Sequence, residues 1–252
     1  MLLLLIPMAG CDAGGGNGIG QNHGSHNGHD YVDLGLSVKW ATCNIGAEQP
    51  EMAGYSFAWG ETSAKKNYDW TTYSFGNYDH QTRYYQADGK VVLDMADDVA
   101  AVMWGGEWRM PTDDEMRELV DDCYWVFTAD YRGSGECGWI VFKAKADDDR
   151  GRKKYRQRED PERSRGTRHH GAGASPRDEM YVEANDVHIF LPSVGIYSGT
   201  SMRNAGAEGY YWSSSLFENH SGDAWFLYFN PSKVGMVSTM RYFGKCVRAV
   251  CR

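Results

Sequence analysis

The part of the chain after Val187 constrains the fold most, because it is a succession of short apolar runs separated by turn residues. The runs are HIFLPSVG, GYYWSSSL, DAWFLYFN, KVGMVSTM and GKCVRAVCR. Runs of this length that are rich in aromatic and β-branched residues predict strands. A chain with helices only in its first half and strands throughout its second half does not form alternating strand–helix units. We therefore expect an α+β domain.

The run DAWFLYFN shows how such a strand would be used. Successive side chains of a strand point to opposite faces, so its residues fall into two sets. The set that we expect to pack in the core is Trp225, Leu227 and Phe229. The set that we expect to be exposed is Phe226, Tyr228 and Asn230.

Two helices are predicted from their end signals. In LDMADDVAAVMWGG, Asp94 is placed to cap the N-terminus and Gly105 to close the C-terminus. In MPTDDEMRELVDDC, Thr112 and Glu115 form a capping box. The apolar residues of this second segment recur at helical spacing and are Met116, Leu119, Val120 and Cys123.

The first half also contains a predicted strand and a predicted loop. In YVDLGLSVKWATCN, apolar residues alternate with small or polar ones, which indicates a half-buried strand. Residues 65–90 are polar and rich in Tyr. We expect them to form a long surface loop held by aromatic anchors.

The N-terminal residues predict export. MLLLLIPMAGC is an apolar stretch that ends in small residues before Cys11, and it resembles the end of a bacterial lipoprotein signal, in which that Cys receives the lipid. An ordinary secretion signal is the alternative. The stretch is shorter than the ~20 residues that a membrane-spanning helix needs. Residues 1–11 are therefore expected to be a lipoprotein signal, and the protein to lie in the cell envelope, as an outer-membrane or cell-surface lipoprotein.

Two segments have little to bury. Residues 12–30 are mainly Gly, Asn and His, and we expect a flexible tether, although His23, His26 and His29 leave a metal-binding alternative open. Residues 146–180 are dense in charges of both signs, and we expect a disordered insertion. A basic recognition arm is the alternative there. The formal net charge of -8 argues against a general nucleic-acid binder, because phosphate contacts need a basic face.

Two long segments resemble a known family. WGGEWRMPTDDEMRELV (residues 104–120) and the strands of residues 209–251 resemble the Fibrobacter-type major paralogous domain proteins, which are bacterial surface proteins of Bacteroidetes. YVDLGLSVKWATCNIGA and FAWGET resemble the start of that domain. The family is similar to the C-type-lectin-like fold of formylglycine-generating enzymes and of variable proteins from diversity-generating retroelements. The resemblance covers nearly all of residues 31–252 apart from the insertion.

The resemblance implies a C-type-lectin-like domain with two helices packed on short antiparallel strands. The first strand of the domain would lie near the last one, and Cys43 would come close enough to Cys251 for a bridge. The late strands would form the displayed face. The implied scaffold residues are Trp212, Ser213, Ser214, Trp225, Leu227, Gly244, Val247 and Arg248. The implied ligand-binding residues are Phe217, Glu218, Asn219, His220, Phe226, Tyr228, Asn230, Met240, Tyr242 and Phe243.

The expected function is therefore binding. We expect a surface-anchored display or adhesion lipoprotein, including the variant in which a diversity-generating retroelement diversifies the gene. Its partners would be an unknown protein or glycan and, through the anchor, a membrane. Carbohydrate binding in the manner of a lectin is the first alternative, and an enzyme of the formylglycine-generating type is the second. A stalk-like structural role would predict a polar display face instead.

Catalysis, a metal and a cofactor are not expected. Cys246 and Cys251 lie in the closing strand and cannot be matched to the active-site cysteines of formylglycine-generating enzymes. No Ser-His-Asp order, His-Glu-x-x-His motif or phosphate loop is present. The clustered carboxylates of Asp94, Asp97 and Asp98 are explained by the first turn of a helix rather than by calcium.

Overall fold

The computed structural model describes residues 22–85, 87–143 and 187–252. The described part consists mostly of antiparallel strands, with two short α-helices. The strands of the first half are β1 (His23–His26), β2 (His29–Val32), β3 (Lys39–Asn44), β4 (Tyr124–Thr128) and β5 (Gly138–Phe142). The strands of the second half are β6 (Ile189–Pro192), β7 (Ile196–Ser198), β8 (Ser201–Arg203), β9 (Gly209–Leu216), β10 (Asp223–Asn230), β11 (Lys233–Met240) and β12 (Arg248–Cys251). The helices are α1 (Val99–Trp104) and α2 (Asp113–Asp122), and a 3₁₀ turn lies at Tyr131–Gly133.

The described strands form four sheets. Their orders are β1-β2-β3-β12, β11-β10-β9, β4-β5-β6 and β7-β8. The β3–β12 pairing places Val250 opposite Trp40, so the first long strand of the domain lies beside its last one, as expected. Within the described residues, no helix is long and apolar enough to cross a membrane.

Helix α2 has the predicted ends and the predicted buried face. The Thr112 hydroxyl accepts a hydrogen bond from the Glu115 amide at 3.2 Å, and the Glu115 carboxylate accepts one from the Thr112 amide at 2.8 Å. This is the capping box. The buried residues of the helix are Met116, Leu119 and Val120. The local pattern therefore predicted both where the helix begins and which side packs against the strands.

Helix α1 begins later than the sequence indicated. Its N-cap is Asp98, whose Oδ1 accepts from the amides of Ala100 and Ala101, while its Oδ2 accepts from the Met110 amide at 2.8 Å. The prediction that Asp94 caps the helix was wrong, because Asp94 forms ion pairs with Lys90 and Arg83 instead. The bond from Met110 comes from a later segment of the chain, so local spacing could not reveal it. Gly105 ends the helix with a positive φ of 65°, as predicted.

The expected tether is ordered from residue 22 onward. β1 and β2 form a hairpin around Asn27 and Gly28, both with positive φ, and β2 extends the sheet by pairing with β3. The His29 ring stacks on Trp104 with centroids 3.9 Å apart. His26 accepts the indole N–H of Trp108 at its carbonyl, at 2.7 Å. Ring stacking and hydrogen bonding offset the ordering cost of residues 22–30, which include no aliphatic side chain.

Three predicted segments lie outside the described residues. These are the signal with Cys11, the tether residues 12–21 and the insertion at 146–180. The bridge between Cys43 and Cys251 is not formed, because Cys251 carries a free thiol. Burial between strands, rather than a covalent link, holds the end of β12 in place.

The sheet β9–β10–β11 lies between two apolar cores. Leu227 and Phe229 belong to the core that contains α2, whereas Ala224 and Phe226 belong to the core that contains α1. The period-two alternation of β10 is therefore present, but both of its faces are covered in the middle of the strand. Only the two ends of this sheet leave room for exposed side chains.

Candidate ligand-binding surface

The residues that the resemblance marks for ligand binding do not form one surface. Phe226 is only 5% exposed, so the prediction that it faces solvent was wrong: the α1 core covers it. Tyr228 and Asn230 are half-buried near one end of β10. His220 and Tyr242 lie near the other end, beside Asp223, and both are partly exposed.

We call the rings of Trp70, Tyr78, His220 and Tyr242 the aromatic patch. Trp70 packs edge-to-face against Tyr242, with centroids 5.1 Å apart, and against Tyr78, at 6.0 Å. Tyr78 also packs against His220, at 4.7 Å. Tyr78 is 44% exposed, and the other three side chains are half-buried. Trp70 and Tyr78 come from the loop of residues 65–90, so the predicted aromatic anchors of that loop contribute half of the patch.

A fully buried arginine ties together the loops under the aromatic patch. The Nε of Arg241 donates to the Tyr73 hydroxyl at 2.8 Å, and its Nη1 donates to the carbonyl of Ser221 at 2.8 Å and to that of Tyr84 at 3.1 Å. Its Nη2 donates to the carbonyl of Arg83 at 3.1 Å. One guanidinium thus fixes two separate loops to the end of β11, which keeps the rings above it in place.

A carboxylate, that of Asp223, lies close to His220 at the edge of the aromatic patch. The Nδ1 atom of His220 lies 3.7 Å from Oδ2 of Asp223, and partial burial raises the pKa of the Asp223 carboxyl. The neighbouring Ser221 hydroxyl donates to Gln81 Oε1 at 2.8 Å, which joins the β9–β10 loop to the loop of residues 65–90. The rim of the patch therefore offers an imidazole and a carboxylate beside the rings.

The other end of β10 carries a different arrangement, which we call the carboxylate cluster: Asn204, Glu208, Tyr210, Tyr228 and Asn230. The Tyr228 hydroxyl donates to Glu208 Oε1 at 2.9 Å, and Asn204 Nδ2 donates to Glu208 Oε2 at 2.6 Å. The Tyr210 hydroxyl also donates to Oε2. Asn230 Nδ2 donates to the Tyr228 hydroxyl at 3.0 Å.

Only Tyr228 and Asn230 of this cluster were predicted from the sequence. Tyr210 pairs directly with Tyr228 in the β9–β10 register. Glu208 precedes Tyr210 by two residues, so an extended chain places both on the same side. Alternation through EGYYW was the signal that could have found them.

A buried lysine, Lys245, lies against the face of the β9–β10–β11 sheet that packs on the α1 core. The Nζ of Lys245 is 3.3 Å from the centroid of the Trp212 ring and 4.3 Å from that of Phe226. It has no hydrogen-bond partner in the described part of the chain. Burial lowers the pKa of Lys245 well below its ordinary value. The centroid of the Phe243 ring lies 5.3 Å from the amine, and this ring packs on Tyr242.

The remaining implied binding residues lie elsewhere. Phe217 packs edge-on against Trp225, with centroids 5.1 Å apart, and the guanidinium of Arg117 from α2 lies 4.7 Å from the same Trp225 ring. Glu218 and Asn219 are exposed in the loop between β9 and β10, and Met240 is exposed at the end of β11.

The implied scaffold residues are buried with one exception. The buried ones are Trp212, Ser213, Ser214, Leu227, Gly244, Val247 and Arg248. Trp225 is half-exposed, so the prediction that it packs in the core was wrong. Phe217 contacts the Trp225 ring edge-on, and Arg117, a charged residue whose side chain stays in contact with water, lies over it.

Two observations bear on metal and thiol chemistry. Among residues 22–85, 87–143 and 187–252, no group of three or more His, Cys, Asp or Glu side chains is placed to hold a metal ion. Burial raises the pKa of the Cys246 thiol to about 12, which disfavours the nucleophilic thiolate.

No family model, curated protein or solved structure matches this chain.

Proposed function

We propose that this protein is a ligand-binding display or adhesion protein of the cell surface, with a C-type-lectin-like fold and a lipid anchor at Cys11. The antiparallel pairing of β3 with β12 and the two helices against short strands support that fold. The aromatic patch is the proposed contact surface. The proposal includes diversification of the gene by a retroelement. A reverse transcriptase gene with a template repeat matching codons 209–248 would support diversification.

The observation that carries the proposal is a set of partly exposed rings on a rigid support. Large aromatic side chains give much contact area for little loss of conformational entropy. In the aromatic patch they are immobilised by each other and by the Arg241 network beneath them. A preorganised surface does not have to be ordered when its ligand arrives, which favours binding.

The ring angles favour a protein ligand over a glycan. Trp70 is inclined at 68° to Tyr242 and at 76° to Tyr78. Because of these angles, the patch presents a mixture of ring edges and faces rather than one flat platform on which a sugar ring could stack. Protein side chains of varied shape fit such an uneven surface, and His220 and Asp223 are available for polar contacts at its edge.

A combined protein and glycan array, probed with the full chain, tests the proposal. A captured ligand is then measured against Trp70→Ala and Tyr242→Ala, each of which should weaken binding by about tenfold or more, as expected for central aromatic contacts. Tyr124→Ala is the matched control, because Tyr124 lies on β4 in a different sheet and stacks on Phe142. Equal binding by all three variants, or capture of glycans alone, would contradict the proposed protein-binding surface.

The anchor is tested separately. Cys11→Ser should release the chain from the membrane fraction of the producing cells into the soluble fraction, because two or more acyl chains hold a protein firmly to a bilayer. Unchanged membrane association of Cys11→Ser would contradict lipidation at this residue.

A further inference from the structure

The Glu208 carboxylate is surrounded by neutral donors. It accepts hydrogen bonds from the hydroxyls of Tyr210 and Tyr228 and from the amide of Asn204. Within the described ranges, no Lys, Arg or His lies within ion-pair distance of it, although other partly buried acids, such as Glu61 and Glu115, have a basic partner. Its negative charge is therefore stabilised by dipoles but not compensated by a cation.

The carboxylate is held in its ionised form and in one orientation. Partial burial alone would raise the pKa of Glu208, but the hydrogen bonds from Tyr210, Tyr228 and Asn204 outweigh it and lower the pKa. A carboxylate has about four acceptor positions, and three are filled here, which leaves one for a ligand. A fixed charge with an open acceptor position is a preorganised anionic site.

The rings beside the carboxylate suit a cation as well. Tyr210 and Tyr228 are half-buried, with centroids 5.3 Å apart and planes inclined at 63°. The face of a tyrosine ring attracts an ammonium or guanidinium group, and the attraction adds to that of a neighbouring carboxylate. The two rings and the carboxylate therefore offer complementary contacts to one positively charged group.

We infer that the carboxylate cluster binds the ammonium or guanidinium group of a basic side chain on a protein ligand. A neutral sugar would meet the same rings and amides, but it would leave the charge of Glu208 uncompensated. The formal net charge of -8 would also draw a basic partner toward the protein.

This site is separate from the aromatic patch. The cluster contains Asn230 at the end of β10, whereas the patch adjoins Asp223 at its start. A strand of this length spans roughly 20 Å or more, so a ligand can occupy one region without touching the other. The inference therefore does not depend on binding by the aromatic patch.

Fluorescence anisotropy with a fluorescein-labelled hexalysine peptide and the full chain tests the inference. Glu208→Gln preserves the size of the side chain and removes its charge, and it should weaken peptide binding by about tenfold. Glu48→Gln is the matched control, because it removes one charge from an exposed loop residue. It should change the affinity by less than about twofold. Unchanged thermal unfolding of both variants shows that the comparison concerns binding.

Two substitutions at Tyr228 separate the role of the ring from that of its hydroxyl. Tyr228→Phe keeps the ring and should retain affinity within about threefold, whereas Tyr228→Leu removes it and should lose more than that. Equal losses for Glu208→Gln and Glu48→Gln would overturn the inference, since only net charge would then matter. So would displacement of the peptide by neutral monosaccharides.

A third outcome distinguishes this site from the proposed function. If Trp70→Ala and Tyr242→Ala weaken the peptide complex while Glu208→Gln does not, basic groups bind at the aromatic patch. The present inference would then fail while the proposed function stood. If only Glu208→Gln weakens the complex, the carboxylate cluster is the site, whatever the aromatic patch binds.

Discussion

Lys245 gives the sharpest test of the energetics of this fold. Its side chain is fully buried against Trp212, Phe226 and Phe243, and its amine makes no hydrogen bond to the described residues. A buried donor without a partner costs about 1–3 kcal/mol. We therefore expect Lys245→Met, which keeps an unbranched side chain of similar volume among the rings, to raise the free energy of unfolding by about 1–3 kcal/mol.

The pH dependence of this gain has a defined sign. Because burial lowers the pKa of Lys245 in the folded state below its ordinary 10.5, the unfolded state binds more protons between the two values. The stability of the unsubstituted protein therefore rises with pH in that window, up to about 10.5. Lys245→Met lacks this contribution, so its advantage should shrink as the pH is raised from neutral.

Urea unfolding followed by tryptophan fluorescence, repeated over neutral to alkaline pH, measures both effects. Lys233→Met is the control, because Lys233 is exposed at the start of β11, and it should change stability by less than about 0.5 kcal/mol. A Lys245→Met variant that is less stable at neutral pH would refute the reasoning. It would mean that attraction between a charged amine and the Trp212 ring exceeds the cost of burial.

Three further predictions concern the hairpin, a helix cap and a strand contact. Burial lowers the pKa of His29, so the unfolded chain takes up a proton more readily than the folded one, and stability should fall as the pH drops below about 6.5. His29→Phe keeps a ring on Trp104 and should reduce this pH dependence in acid unfolding curves. Thr112→Ala should cost about 1 kcal/mol in chemical unfolding, whereas Thr112→Ser should retain most of the cap; equal losses would contradict a capping role. Gly209→Ala would place its Cβ 2.0 Å from the Phe229 ring and should lower stability by about 1–3 kcal/mol, and an unaltered melting temperature would show that the ring can move aside.

The elements that depend on neighbouring residues in sequence were predictable. The capping box of α2 and its buried face were predicted in full, and the end of α1 at Gly105 was predicted as well. These features depend on contacts within one turn of helix. The start of α1 was misplaced because Asp98 is held by the Met110 amide, twelve residues away.

Burial was harder to predict than strand position. The alternation of β10 is real, but a strand pattern does not say what covers each face. Phe226 is buried because the α1 core lies on its side of the sheet. Trp225 is only half-buried, because the side chain that lies over its ring, Arg117, is itself exposed. The sequence predicted a tether for residues 12–30, and the part of it in the β1–β2 hairpin is ordered through contacts of histidines with Trp104 and Trp108.

The candidate sites show the same division. The sequence alone predicted the α+β class, the strands of the second half and the aromatic anchors in the loop of residues 65–90. The family resemblance added Tyr228 and Tyr242 as candidate ligand-binding residues. Only the tertiary structure brings Glu208 to Tyr228, twenty residues away, and Arg241 to Tyr73, at a separation of 168. Hydrogen bonding and ring packing act over a few ångströms whatever the distance along the chain. For that reason local patterns determine helices and strands, whereas the partners of a binding surface are decided only when the chain folds.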